Sequence, residues 1–324
     1  METRKVLEMG GGTMLISLPK AWARRNQIVK GSSILVDEIS PRKLIVSPLP
    51  GEERSGKTVV IEYPKEYPAY LINDVTGAYL MGSNIIKIMG RKMITSEDRE
   101  RIKSSMRRLV GLEIMDEDSK SMTLQFLPEP STLDPEKIVR RMASLTKGML
   151  RDTMEAVTSE DSKMLSLITE RDDEVDRLYF LLVRAIRTAT MDPEVAERYN
   201  PTPVECLDFR VLASILESLG DAISELSQMS SELFGLQKVK GASDVFTLLE
   251  KMEDLSIRMF LNRKTGQSRK GYLEIDAMQH QVNDLSRRVA QPKTMPARAA
   301  VDLLSMLERI AKTFVDISDL ALPT

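Results

Sequence analysis

Two pairs of acids stand at helical spacing in the middle of this 324-residue chain: Asp172 with Asp176, and Glu217 with Asp221. Residues four apart share a helix face, where like charges repel by roughly a few tenths of a kcal/mol. The first pair lies in a run of five acids between Glu170 and Asp176. A hard cation would offset that repulsion, and carboxylates alone suit Mg2+, Mn2+, Ca2+ or ferric iron rather than a soft metal. The same residues also read as a solvated acidic face paired with Arg171, Arg177 and Arg210. Other chemistries are excluded by residue type. The single cysteine, Cys206, allows neither an intrachain disulfide nor a thiolate site, and the single histidine, His280, lies between Gln279 and Gln281 with no nucleophile beside it. One histidine cannot supply the paired Glu-x-x-His ligands of a ferritin-like oxidase. The glycines Gly10, Gly11 and Gly12 lack the Lys-Ser/Thr that follows in a P-loop. No enzyme is expected.

Charge is distributed unevenly. The whole chain carries 46 Lys+Arg against 48 Asp+Glu, a net charge of -2. Its first thirty residues hold Arg4, Lys5, Lys20, Arg24, Arg25 and Lys30 against Glu2 and Glu8, which is +4 locally. Such a cluster suits a phosphate backbone, through counterion release and with strong salt dependence. The longest apolar run, residues 178–183, is far short of the ~20 residues of a membrane span. The residues after Met1 alternate rather than forming a signal-peptide core. A soluble, cytoplasmic protein without membrane insertion is expected.

Aromatics at 5% and 20 methionines point to aliphatic helix packing as the frame for these groups. Residues 1–50 predict short strands at 5–8, 14–18, 33–39 and 44–46 around a helix at 20–26, with the three glycines forcing a turn and Pro19 opening the helix. Trp22 is expected to pack that helix against the strands. Pro48, Pro50, Gly51 and Gly56 read as a linker. Residues 57–130 predict an α/β segment with strands at 58–62, 84–89, 112–115 and 121–126. Its helices fall at 67–81 and 96–109; the second is basic from Arg99 to Arg108, is capped by Ser96, and could touch nucleic acid or simply face solvent. From 134 onward, six helices are expected near 135–157, 160–189, 203–234, 242–263, 271–290 and 296–320, joined by short breaks that make antiparallel neighbours. The fold class is multidomain and mainly α: a small β head, a short α/β segment, and two tandem three-helix bundles at 134–235 and 241–324.

The bundles read as a repeat. The string from Leu212 to Asp221 matches that from Leu303 to Lys312 in its apolar positions, its serine and its glutamate, and Asp172–Leu178 falls on Gln279–Leu285. In the second copy the acid pairs become Gln279/Asn283 and Glu308/Lys312, so a metal is not expected there. A helical wheel puts Leu212, Leu216, Leu219, Ile223 and Leu226 on the core side, as it does Ile168, Val175 and Leu182. The acids then lie on the bundle surface.

Two families share these patterns. Residues 4–47, with Arg4-Lys5-Val6, the glycine turn and Thr13, Ile16-Ser17-Leu18-Pro19-Lys20, Arg24-Arg25 and Ile28-Val29-Lys30-Gly31, resemble the AbrB/SpoVT (MazE-like) swapped-hairpin domain. The resemblance implies a homodimer with interleaved hairpins that binds DNA through Arg4, Lys5, Lys20, Arg24 and Arg25. The glycine run departs from the basic residue the family often places there. Residues 134–320 resemble PhoU, the phosphate-uptake regulator, through Asp172-xxx-Asp176, Glu217-xxx-Asp221 and the string Leu216-Glu217-Ser218-Leu219-Gly220-Asp221, which is similar to the family's Leu-Glu-Arg-Ile-Gly-Asp. Residues 57–130, with Val110-Gly111-Leu112-Glu113-Ile114, look like the middle segment of archaeal PhoU-related regulators. The combined resemblance implies a DNA-binding regulator of phosphate homeostasis with one carboxylate site for a cation such as Fe, Mn or Mg. The second reading is an adaptor that contacts a phosphate transporter or sensor kinase without DNA.

Overall fold

The computed structural model describes residues 3–40, 43–48, 57–129, 132–191, 195, 202–229, 240–263, 268–290 and 296–321. The expected turn at 41–42, the linker at 50–56, Pro130, the helix breaks at 192–194, 196–201, 265–266 and 291–295, and the helix end at 230–234 lie outside these residues. The protein is multidomain and mainly α, and divides into two compact units, residues 1–55 and 56–324.

In the first unit, β1 (Val6–Met9) pairs antiparallel with β2 (Thr13–Ile16), and Val6 faces Ile16. Gly11 and Gly12 turn the chain at φ of 96° and 84°, a backbone that costs other residues much more. The helix α1 (Lys20–Arg25) follows Pro19, and β3 (Ile34–Ser40) pairs antiparallel with β4 (Lys43–Pro48). Trp22 is half-buried, yet no described residue of this unit is buried outright. Val6, Leu7, Met14 and Ile16 stand 59–65% exposed.

The second unit begins with a four-stranded sheet, order β5-β6-β8-β7, made of β5 (Thr58–Tyr63), β6 (Ile85–Gly90), β7 (Leu112–Glu117) and β8 (Ser121–Phe126). The β5–β6 pair is parallel and the others antiparallel. Alternation puts Ile86, Ile88, Met122, Leu124 and Phe126 into the core, against Leu71, Val75 and Tyr79 of α2 (Pro68–Leu80) and Ile102 of α3 (Ser96–Met106). The cap of α3 is Thr95 rather than Ser96: its Oγ1 accepts from the Asp98 amide at 3.2 Å. The basic residues that follow are tied locally, Arg99 to Glu117 and Arg101 to Glu97.

Six long helices follow among the described residues: α4 (Pro135–Ser159), α5 (Ser162–Met191), α6 (Pro203–Gln228), α7 (Ala242–Leu261), α8 (Ser268–Val289) and α9 (Ala297–Asp319). α4, α5 and α6 pack on one another, as do α7, α8 and α9, and the two triplets meet through α4 with α7 and α6 with α9. The first break falls at Glu160, which takes a left-handed φ of 56°, and Asp161 then caps α5 by accepting from the Lys163 and Met164 amides. Thr202 and Glu205 form a capping box at the start of α6, with Pro203 as its first residue.

Arg184 of α5 fastens the sheet layer to the bundle. It is 0% exposed, and its Nη1 donates to the carbonyls of Tyr79 (2.5 Å) and Ser83 (3.1 Å), at the C-terminal end of α2. The guanidinium lies 3.7 Å from the Phe126 ring centroid and 5.0 Å from that of Tyr79. Burial pushes its pKa down to about 10, and among the described residues no carboxylate pairs with it. The negative end of the α2 dipole and two ring faces stand in for a counterion. Arg184→Ala is expected to lower unfolding free energy by about 3–5 kcal/mol in urea titration, since it strands buried carbonyls and opens the layer interface. A loss under about 1 kcal/mol would refute that anchoring role.

Candidate carboxylate metal centre

The acids owe their placement to the apolar stripes behind them. Ile168, Val175 and Leu182 of α5 are buried, as are Leu212, Leu216, Leu219, Ile223 and Leu226 of α6. Packing those stripes turns Asp172, Asp176, Glu217 and Asp221 to the flank where the two helices meet. Gly220 lets the helices approach: a Cβ there would lie 2.7 Å from Asp172 Oδ1 and 3.3 Å from Val175 Cγ1. Asp176, Glu217 and Asp221 each offer a carboxylate oxygen, all within 4.8 Å of one another. Asp172 stands one helical turn before Asp176, outside that trio, and its buried Oδ1 has no partner.

The electrostatics follow from this crowding. Burial, then the charges of Asp221 and Asp176, push the Asp172 carboxyl up to about 6. Burial also raises Glu217, helped by Asp221 and Asp176, and Asp221, helped by Asp176 and Glu225. A cation reaches the cluster from the sheet layer: Arg108, just after α3, pairs with Asp176 and lies 5.3 Å from the centroid of the Phe180 ring, while Arg309, paired with Glu225 at 2.6 Å, also lowers Asp221. The arginines expected from the sequence go elsewhere. Arg171 pairs with Asp152, Arg177 with Glu174 at 2.9 Å, and Arg210 donates to the Tyr179 hydroxyl at 2.9 Å. Arg108 is 68 residues from Asp176, so no local pattern could have revealed it.

The donor set fits a hard cation. Three carboxylates converge from two helices, a fourth has an orphaned oxygen beside them, and all of their oxygens are hard ligands. Copy two differs as its residues predict. Glu308 lies 3.5 Å from Arg287, and Lys312 pairs with Asp316 at 2.7 Å, so that flank carries its own cations. In the first unit Arg4, Lys5, Lys20, Arg24 and Arg25 are all exposed, the last two in the final turn of α1.

Two measurements probe this geometry. With chelator present, Asp172 keeps a proton in the folded state that the unfolded chain has already lost, over the window from about pH 4 to 6. Its contribution is therefore full below that window and is lost as pH rises through it. Asp172→Asn should raise the melting temperature above pH 6 and match wild type below pH 4; identical pH profiles would contradict the assignment. Gly220→Val should cost about 1–3 kcal/mol by forcing α5 and α6 apart, read from denaturant unfolding.

Comparison with known proteins places these acids in a family context. Residues 139–229 match the family model "PhoU domain". The chain is 27% identical over 148 residues to a protein of Rhizobium meliloti (strain 1021), the "Phosphate-specific transport system accessory protein PhoU homolog". That stretch is 44% of this chain and 59% of the relative, so the chain spans about three fifths of the length of the curated relative it matches. The segment that brings Asp172, Asp176, Glu217 and Asp221 together is thus similar to a PhoU domain.

Proposed function

We propose that this chain regulates phosphate uptake, with a DNA-binding dimeric head and a PhoU-like helical body. The observation that carries the reading is the PhoU match at residues 139–229, a stretch in which acids from two helices converge on one surface point. Asp176, Glu217 and Asp221, with Asp172 beside them, would hold an Mg, Mn or ferric cation. Bound there, the cation supplies the positive charge that lowers the raised carboxyls. Metal content of purified protein should fall in Glu217→Gln/Asp221→Asn; equal content would leave the acids simply solvated.

The head is read as the AbrB-like dimer that its sequence resembles. Its support is physical: two isolated hairpins with Val6, Leu7, Met14 and Ile16 exposed are marginal alone, and a second copy would cover them. Arg4, Lys5, Lys20, Arg24 and Arg25 then line a doubled basic surface suited to DNA phosphates. Gel shifts across salt concentrations should show steep weakening. Arg24→Ala/Arg25→Ala, which removes four cations from a dimer, should reduce the slope of log K against log salt by about 3–4. An unchanged slope would refute the site. The relative's name as a transport accessory protein keeps an adaptor in view. Co-purification with a phosphate transporter, together with no shift of any DNA, would favour that role.

A further inference from the structure

A second polar site lies between the two bundles, away from the acids of α5 and α6. A cavity of about 290 Å3 opens where α4 crosses α7. From α4 it is lined by Arg140, Ala143, Ser144 and Lys147, spaced as one helix face. From α7 come Glu253, Ile257, Arg258 and Leu261, again one face. Ala143 and Ile257 are buried and Leu261 is half-buried, so the cavity has an apolar side.

The polar lining is rich in donors. Asp254 is the second acid on the wall, and both of its oxygens are taken by Lys147 Nζ, at 2.7 and 2.6 Å. Glu136 grips Arg140 through Nε and Nη2. Arg258 spends its Nε on the Asp254 carbonyl at 3.1 Å, which leaves the outer edge of its planar fork. Each cation is thus held from one side and keeps N–H groups for another partner. Glu253 is 1% exposed, accepts from Thr146 Oγ1 at 2.7 Å through Oε1, and has no partner for Oε2. Burial pushes its carboxyl up to about 8, so it adds little negative charge to the lining at neutral pH. Its Oε2 is closed off from solvent, so Glu253 backs the cavity from behind the exposed cations.

We propose that this cavity binds a phosphate group, held by Arg140, Lys147 and Arg258, with Ser144 donating to its oxygens. The reason is complementarity. Two guanidiniums, an ammonium and a hydroxyl match the acceptor oxygens of a phosphate group, and guanidinium forks fit those oxygens two at a time. The volume exceeds that of a bare ion, and the apolar side at Ile257 and Leu261 leaves room for a small organic substituent. The ligand is therefore inorganic phosphate or a phosphate monoester. Because α4 and α7 belong to different bundles, a bound anion bridges them. The site stands on these residues alone, independently of the DNA-binding reading.

Calorimetric titration of the full chain tests it, with inorganic phosphate, glycerol phosphate and adenosine monophosphate as probes and sulfate at matched ionic strength as reference. At least one phosphate probe should bind with saturable heat and raise the melting temperature. Tighter binding of a monoester assigns the organic ligand, and equal or tighter binding of inorganic phosphate assigns the free ion. Arg140→Gln/Arg258→Gln should weaken that binding at least tenfold. Both residues are exposed and outside the packed core, so their circular dichroism should match wild type. Glu253→Gln, which keeps the shape of the cavity wall, should retain most of the affinity. Absence of saturable heat with all three phosphate probes, equal binding of sulfate, or equal affinity in wild type and the double arginine variant would each overturn the proposal.

Discussion

A buried arginine without a carboxylate is an unusual anchor, and the second unit depends on one. Arg184 leaves water with its charge intact, and the molecule compensates with carbonyls at the end of α2 and the faces of Phe126 and Tyr79. That arrangement works only if α2 ends where it does and if β8 holds Phe126 against it. Tyr79 in turn donates its hydroxyl to the Val110 carbonyl at 2.9 Å, which ties α2 to the turn before β7. One side chain of α5 thereby couples the geometry of a helix end, two strands and a bundle. A charge that cannot be solvated tolerates little displacement, so the sheet layer and α5 act as one piece.

The position of the sheet layer then decides what the acids experience. Arg108 projects from that layer onto Asp176. With it in place, one of the crowded carboxylates is neutralised; Asp172, held against Gly220 with an orphaned oxygen, is not. Packing and electrostatics oppose one another at this point. The close approach that buries Leu216, Leu219 and Val175 is the same approach that pushes carboxyls together. The apolar stripes dominate, because each fully buried aliphatic side chain contributes about 1.5–3 kcal/mol against a few tenths for an exposed like-charge pair. The cost appears instead as raised carboxyl pKa values, a condition that a bound cation would relieve.

Much of this was legible in the sequence. The helix periods of α4 to α9, the core stripe from Leu212 to Leu226 and the strands of the sheet layer all follow from short-range patterns, and short-range patterns fix which face of an element is apolar. The placing of four acids on one flank followed from the same reasoning. What could not be read were partners distant in sequence. Arg108, Arg184 and Glu253 look like ordinary charged residues of helical segments, because nothing nearby marks them. Their roles come from tertiary packing: Arg108 meets an acid of α5, Arg184 meets the end of α2, and Glu253 meets Thr146 across the bundle junction. The cap of α3 slipped by one residue for a related reason, since threonine and serine stand side by side and the sequence alone does not choose between them.

The first unit presents the opposite physical problem. Where the second unit buries even charged groups, the described strands β1 and β2 leave Val6, Leu7, Met14 and Ile16 in water. A chain that can bury Arg184 is not short of apolar residues, so the exposure belongs to the topology: two hairpins and one turn and a half of helix cannot enclose a core. Such a surface is either covered by another chain or prone to uncontrolled strand pairing. The +4 charge of the first thirty residues bears on that choice. Like charge disfavours indiscriminate association, while a defined pairing can direct the cations outward and bury the apolar alternates between two copies. A basic surface assembled in that way is one that a polyanion, with its counterions to release, is suited to meet.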